Sequence, residues 1–183
     1  MNKSQLLREL YRAARTNQSE FVPGSGNPDA TLMVIGQAPE AEEIATGIPF
    51  VGKSGVILNG LLSEIGVSRS NFYITNVSKI PVASSSSANG SSDISLLFNE
   101  IEIVKPDIIF ALRKTVADAL FPASSGSPLR EERGVIRWLS TQTGDYRVIT
   151  AYHPTALLRG SASVSDMRTD YEFLRRSLYQ LGL

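Results

Sequence analysis

Residue types able to do chemistry are scarce in this chain, and the scarcity directs the reading. There is no cysteine and a single histidine, His153. A thiol nucleophile, a thiolate zinc site, a cysteine-held iron–sulfur cluster and a multi-histidine metal site are thereby excluded. No metal or other cofactor is expected. What remains is a set of polar residues at the ends of short apolar runs: Gly36-Gln37-Ala38-Pro39, Asn76, Arg113 and His153-Pro154. An imidazole can donate a hydrogen bond to a developing anion, and an amide offers a donor beside an acceptor.

A second pattern competes for attention. Gly47-Ile48-Pro49-Phe50-Val51-Gly52-Lys53-Ser54 matches the phosphate-cradling loop G-x-x-x-x-G-K-[ST]. That loop works by joining a buried strand directly to a helix, so that backbone N–H groups wrap the phosphates. Here Pro39 to Thr46 intervenes, and Glu40, Glu42 and Glu43 would repel a triphosphate. Nor does an apolar run end in an aspartate placed to hold magnesium. A nucleotide triphosphatase stays open as an alternative that these features disfavour.

The elements that must position these residues follow from periodicity. Residues 31–35, 71–77, 107–112 and 146–152 are short apolar runs suited to strands covered on both faces, with 135–139 a further candidate. Helical spacing appears at 3–15, 54–66, in Ile94, Leu97, Phe98, Ile101 and Val104 before Pro106, at 114–121, and in Met167, Tyr171, Leu174 and Leu178. The stretches 23–28 and 83–92 read as loops, the second Ser-rich and exposed. Strands alternating with helices predict an α/β protein, a three-layer α/β/α sandwich around a mainly parallel four-stranded sheet. In such sheets ligands bind beyond the carboxyl ends of the strands, where the polar residues named above converge.

Length and charge bound the rest. The 183 residues suit one domain, 1–183, with no internal repeat. Eighteen basic residues balance eighteen acidic ones, so bulk charge does not announce a nucleic-acid binder and any such surface must be local. No run approaches the roughly 18 apolar residues of a membrane span, and Met1-Asn2-Lys3-Ser4-Gln5 lacks the apolar stretch of a secretory signal. A soluble cytoplasmic chain with no membrane partner, acting as a monomer, is the expectation.

From residue 24 to about 160 the motifs taken in order resemble the uracil-DNA glycosylase superfamily. The resemblance is carried by Gly36-Gln37-Ala38-Pro39 running into Glu42-Glu43, then Gly47 to Gly55, Tyr73-Ile74-Thr75-Asn76-Val77-Ser78-Lys79, Lys105-Pro106-Asp107, Arg133-Gly134 and His153-Pro154-Thr155-Ala156-Leu157-Leu158-Arg159. The closest branch is family 4, the iron–sulfur branch. Membership implies a DNA glycosylase that flips a uracil, or a related deaminated or modified pyrimidine, out of DNA and hydrolyses its N-glycosidic bond. It implies that Phe50 stacks on the base beside Gly36 and Ala38, that Asn76 reads its edge, and that His153 stabilises the leaving anion. Other readings of the same residues remain: Phe50 as a loop anchor, Asn76 closing a turn, His153 as a structural histidine. Lys53, Lys79, Arg133 and Arg159, with Arg130, are candidate phosphate contacts. Leu158 belongs to a Leu157-Leu158 pair that either wedges into the duplex or packs in the core.

Three departures qualify the resemblance. Gln37 stands where the branch has a water-activating glutamate, and glutamine orients water without accepting its proton. All four cluster cysteines are missing, Ile80 occupying one of their places. Arg113 replaces a glycine, and the reading favoured for it is a salt bridge to a neighbouring acid. A related subgroup captures the sugar covalently through a histidine in a basic loop; the corresponding loop here has neither histidine nor arginine, so no covalent intermediate is expected. The alternative within the fold is a catalytically weakened module that binds DNA damage without turnover.

Overall fold

Apolar runs with no polar face must be covered on both sides, and the structure, a computed structural model, covers them so. It describes residues 1–15, 19–81, 90–124 and 126–182. The strands are β1 Ser25–Gly26, β2 Leu32–Gly36, β3 Phe72–Asn76, β4 Ile108–Leu112, β5 Ile136–Thr141 and β6 Gly144–Ala151. They form one sheet in the order β1-β3-β2-β4-β6-β5. The four in the middle run parallel, while β1 and β5 pair antiparallel at the two edges. The expected four-stranded sheet is therefore the parallel heart of a six-stranded one. The candidate strand at 135–139 is β5, while β1 escaped the count because an edge needs one partner and no continuous apolar run. β1 is two residues within the predicted 23–28 loop, and only one residue of β5 is buried.

Every residue of β2, β3 and β4 is buried, and alternate side chains enter opposite faces. Leu32, Val34, Phe72, Ile74, Ile108 and Phe110 pack against helices α3 (Lys53–Glu64) and α8 (Val164–Tyr179) through Leu58, Leu62, Met167 and Leu174. Met33, Ile35, Tyr73, Ile109 and Ala111 face α1 (Lys3–Ala14), α4 (Gly90–Val104) and α5 (Lys114–Leu120). Each fully buried Leu, Ile or Met side chain contributes about 1.5–3 kcal/mol. The helix starts follow capping chemistry. The Asn2 side chain accepts the Gln5 N–H before α1, and the Ser163 side chain accepts the Asp166 N–H before α8. Short helices α2 (Ala41–Thr46), α6 (Leu129–Glu132) and α7 (Thr155–Leu158) complete the set. Of the predicted 83–92 loop, 83–89 lies outside the described residues and 90–92 open α4. No described helix is long and apolar enough to cross a membrane.

Candidate active site

The parallel register builds one rim. Gly36 closes β2 directly beside Asn76 of β3. Past them, the Val77 N–H donates to the Gly36 carbonyl at 2.8 Å and the Ser78 N–H to the Gln37 carbonyl at 2.9 Å. On the far side of β2, the Arg113 N–H donates to the Ala151 carbonyl at 2.9 Å, which holds the ends of β4 and β6 level. The residues singled out after each strand therefore finish on the same edge.

Phe50 reaches this edge from the α2–α3 loop, and a buried carboxylate aims it. Glu43 accepts the N–H of Glu40 at 2.5 Å and the N–H of Phe50. Burial raises its pKa, and those two backbone donors act against the rise. Gly55 makes room, since a Cβ there would run into the Phe50 carbonyl. The Phe50 ring then lies against Gly36: a Cβ on Gly36 would fall 2.6 Å from Phe50 Cζ and would also strike Asn76 Oδ1. The same ring has its centroid 5.6 Å from that of His153, with the planes inclined by 43°. Gly36, Phe50, Asn76 and His153 thus cluster at one point of this edge. Ala38 is partly buried on the turn that follows Gly36.

Two features make this cluster more than a packed corner. The Asn76 side-chain nitrogen is buried and has no hydrogen-bond partner. Leaving such a donor unpaired costs about 1–3 kcal/mol, so a partner from outside the chain, a water or a ligand, completes it. His153 is the second. The Thr155 N–H donates to its Nδ1 at 3.2 Å, and the Thr155 hydroxyl lies 2.8 Å from the same atom. A backbone N–H can only donate, so Nδ1 is the acceptor and the ring proton sits on Nε2. Burial, and then the charges of Arg113 and Arg159, push the imidazole pKa down to about 3. The ring is neutral near pH 7 and presents Nε2–H.

Arg113 does not form the expected salt bridge. Its partners are neutral: Nη1 donates to Gln37 Oε1 at 2.8 Å and Nη2 to Thr155 Oγ1 at 3.1 Å. Its φ of +106° lies where a side chain is strained, at a cost of about 1–3 kcal/mol. Thr155 went unrecognised in the sequence as a link to His153. Its signal was a hydroxyl two residues past the only histidine, a spacing at which Ser and Thr bond back to local groups.

Two residues expected to face phosphate are corrected. Lys79 is buried, and its ammonium donates to Glu100 at 2.6 Å, to Thr75 Oγ1 at 2.8 Å and to the Asn76 carbonyl. It is an internal staple for the strand end that carries Asn76. The physical reason is Glu100, which falls on the apolar stripe of α4 between Leu97 and Ile101; a buried carboxylate must be paired. Arg133 spends its guanidinium on Asp170 at 2.7 Å and the Asp166 carbonyl at 2.8 Å, stacked 4.1 Å over the Tyr152 ring. Asp170 also accepts the Tyr152 N–H at 3.0 Å, so this group anchors the segment leading to His153. By contrast Lys53 and Arg159 are exposed, Leu158 is 53% exposed, and Leu157 packs against the core.

The phosphate-loop pattern has the wrong topology. Gly47, at φ +69°, ends helix α2, and the segment runs from helix to helix with no strand before it. An iron–sulfur cluster does not fit either. Ile80 is buried where the resemblance puts a ligand, and the chain has no thiol. Instead, the Tyr11 hydroxyl donates to Glu100, and the Tyr73 hydroxyl lies 2.5 Å from that of Tyr11, tying α1, β3 and α4 together.

An aromatic ring, an unpaired amide and a neutral imidazole meet at the carboxyl edge of a parallel α/β sheet, the edge at which folds of this class bind their ligands. The comparisons give the family. The model of the uracil DNA glycosylase superfamily matches residues 23–176, and the chain belongs to that superfamily. It is 34% identical over 154 residues to the type-4 uracil-DNA glycosylase of Thermotoga maritima, covering 80% of this chain and 76% of the relative. The type-4 uracil-DNA glycosylase of Pyrobaculum aerophilum is 32% identical over 81% of this chain and 79% of its own. That of Archaeoglobus fulgidus is 27% identical over 85% and 80%.

Proposed function

We propose that this chain hydrolyses the N-glycosidic bond of uracil, or of a related deaminated or modified pyrimidine, in DNA, acting as a monomer on a base flipped from the strand. The observation that carries the reading is the unpaired Asn76 –NH2, buried beside the Phe50 ring. Phe50 stacks on the base, an interaction of about 1–3 kcal/mol that does not depend on base identity. Identity comes from Asn76, whose Nδ2 donates to O4 of uracil while Oδ1 accepts N3–H. Cytosine presents the opposite pattern and leaves both partners unpaired.

As the glycosidic bond lengthens, negative charge gathers on O2 of the departing base. The Nε2–H of His153 donates to it there, and a positioned donor of this kind is worth about 3 kcal/mol. Neutrality suits the task, since the ring donates a hydrogen bond without giving up its proton. Gln37 orients the water through the second lone pair of Oε1; the water attacks an electron-poor sugar carbon as the C–N bond breaks, and the proton it sheds passes to solvent or to the departing pyrimidine anion. Lys53 and Arg159 meet phosphates, and Leu158 fills the place the base has left. The rim joins the strand ends of a single sheet to the loop that carries Phe50, so residues 1–183 act as one domain. No metal, cofactor or covalent enzyme intermediate takes part.

The test is an oligonucleotide with one labelled uracil, incubated with the protein and treated with alkali. Strand scission at the uracil is expected, and its loss in Asn76→Ala and His153→Ala. Gln37 favours a second reading, a module that binds damage without turnover. It predicts tight binding to uracil-containing or abasic DNA with no scission on uracil or on a panel of modified pyrimidines.

A further inference from the structure

The geometry points to Arg113 as a positioning residue that sets both halves of the site at once, Gln37 directly and His153 through Thr155. Its guanidinium has two prongs on two neutral acceptors, Gln37 Oε1 at 2.8 Å and Thr155 Oγ1 at 3.1 Å. A guanidinium only donates, so the Gln37 atom facing it is the carbonyl oxygen, and the amide orientation follows. Thr155 Oγ1 accepts from Arg113, and its own proton is directed to His153 Nδ1, 2.8 Å away. Together with the Thr155 N–H, that proton occupies the Nδ1 lone pair, so the ring proton stays on Nε2.

Chemistry and backbone agree on why this residue is here. Gln37 and Arg113, from the ends of neighbouring strands, touch each other. A carboxylate at position 37 would make an ion pair with the guanidinium and pull it from Thr155; a glutamine accepts one hydrogen bond and leaves the second prong in place. At φ +106° a glycine would sit without strain, so the fold keeps a side chain here against its own conformational preference. The charged groups acting on the imidazole are Arg113 after β4 and Arg159 after α7, while Glu40 acts on Arg113. Both cations oppose protonation of His153.

This inference rests on the glycosylase reading for its kinetic consequence, but its geometry is measurable without turnover. His153 is the only histidine, so 15N-histidine labelling of the full chain reports one imidazole by long-range 1H–15N correlation. In the wild type, Nε2–H with an unprotonated Nδ1 is expected from pH 8 down to pH 5. In Arg113→Gly the Thr155 N–H alone is left to hold Nδ1 as an acceptor, so the Nδ1–H tautomer gains population and the titration midpoint rises. In Thr155→Val that tautomer gains population in the same way while Arg113 still holds Gln37. In single-turnover excision on uracil DNA, Arg113→Gly lowers the maximal rate at least tenfold with half-saturation changed less than threefold. Its melting temperature is unchanged or higher, because the strain is relieved. Arg113→Lys keeps the charge but loses the fork, and is not rescued. A purely structural arginine would instead lower the melting temperature and leave the imidazole signals alone. An Arg113→Gly protein with wild-type tautomer, midpoint and rate overturns the proposal. A wild type that excises no base defeats the glycosylase reading, and the imidazole measurement then decides this one.

Discussion

Gly36 is where a single carbon atom should separate folding from activity. An added Cβ would lie 2.6 Å from Phe50 Cζ and 2.8 Å from Cε2, and would strike Asn76 Oδ1. Ordinary contact begins near 3.4 Å, so in Gly36→Ala the ring and the amide must each retreat by about 1 Å. Neither is free to do so. Phe50 is held through its own N–H by buried Glu43, and Asn76 sits in a strand stapled by Lys79. The pocket narrows by a methyl group between the two residues proposed to hold the base. Overpacking of this kind costs about 1–3 kcal/mol of stability, which a domain of this size survives. A displacement of about 1 Å at a reacting centre costs on the order of 100-fold in rate. The assay is uracil excision at saturating enzyme, with urea unfolding in parallel. Gly60→Ala is the control: it lies on the exposed face of α3 with nothing within 4 Å of the added atom, and should gain about 0.5–1 kcal/mol with unchanged excision. Excision by Gly36→Ala within threefold of wild type, in a folded protein, would refute the assignment of this pocket.

Lys79→Met should lose about 3–5 kcal/mol in urea unfolding, because Glu100 is left buried without its cation; Lys79→Met/Glu100→Leu should recover part of this. An unchanged stability would mean that Lys79 is not the internal staple described. On DNA, Lys53→Ala and Arg159→Ala should each reduce the slope of log K against log salt by about 1, while Arg133→Met leaves it unchanged. The reverse pattern would relocate the DNA-facing surface. His153 links stability to acid. Its native pKa of about 3 lies below the ordinary value near 6.5, so between these values the unfolded chain binds the proton and the native state does not. Stability therefore falls as pH drops through this window, by up to about 1.4 kcal/mol per unit. From pH 7 to pH 5 the wild type should lose up to about 2 kcal/mol more than His153→Gln, and parallel losses would show an ordinary imidazole.

Much of the architecture was legible because burial leaves a local trace. Runs such as Leu32-Met33-Val34-Ile35 have no polar face, so they require helices on both sides, and the polar residues ending them had to share a rim. Of the edge strands, β5 showed only as the candidate at 135–139, being largely exposed, and β1, two residues long, left no such trace. Charged side chains misled for a related reason. Lys79 and Arg133 look like surface cations in a linear reading, since their partners Glu100 and Asp170 stand 21 and 37 positions away.

By itself, then, the sequence determined the covered parallel sheet, the order of the motifs, the absence of thiol chemistry and the shortlist of Phe50, Asn76 and His153. Residue type and periodicity are enough for these, because each is a property of one segment. Only the tertiary structure decided which cations are free, which nitrogen of His153 carries the proton, and that Arg113 bridges Gln37 and Thr155. Those are properties of pairs brought together by folding, and the energy of a buried charge or donor depends on the partner it meets.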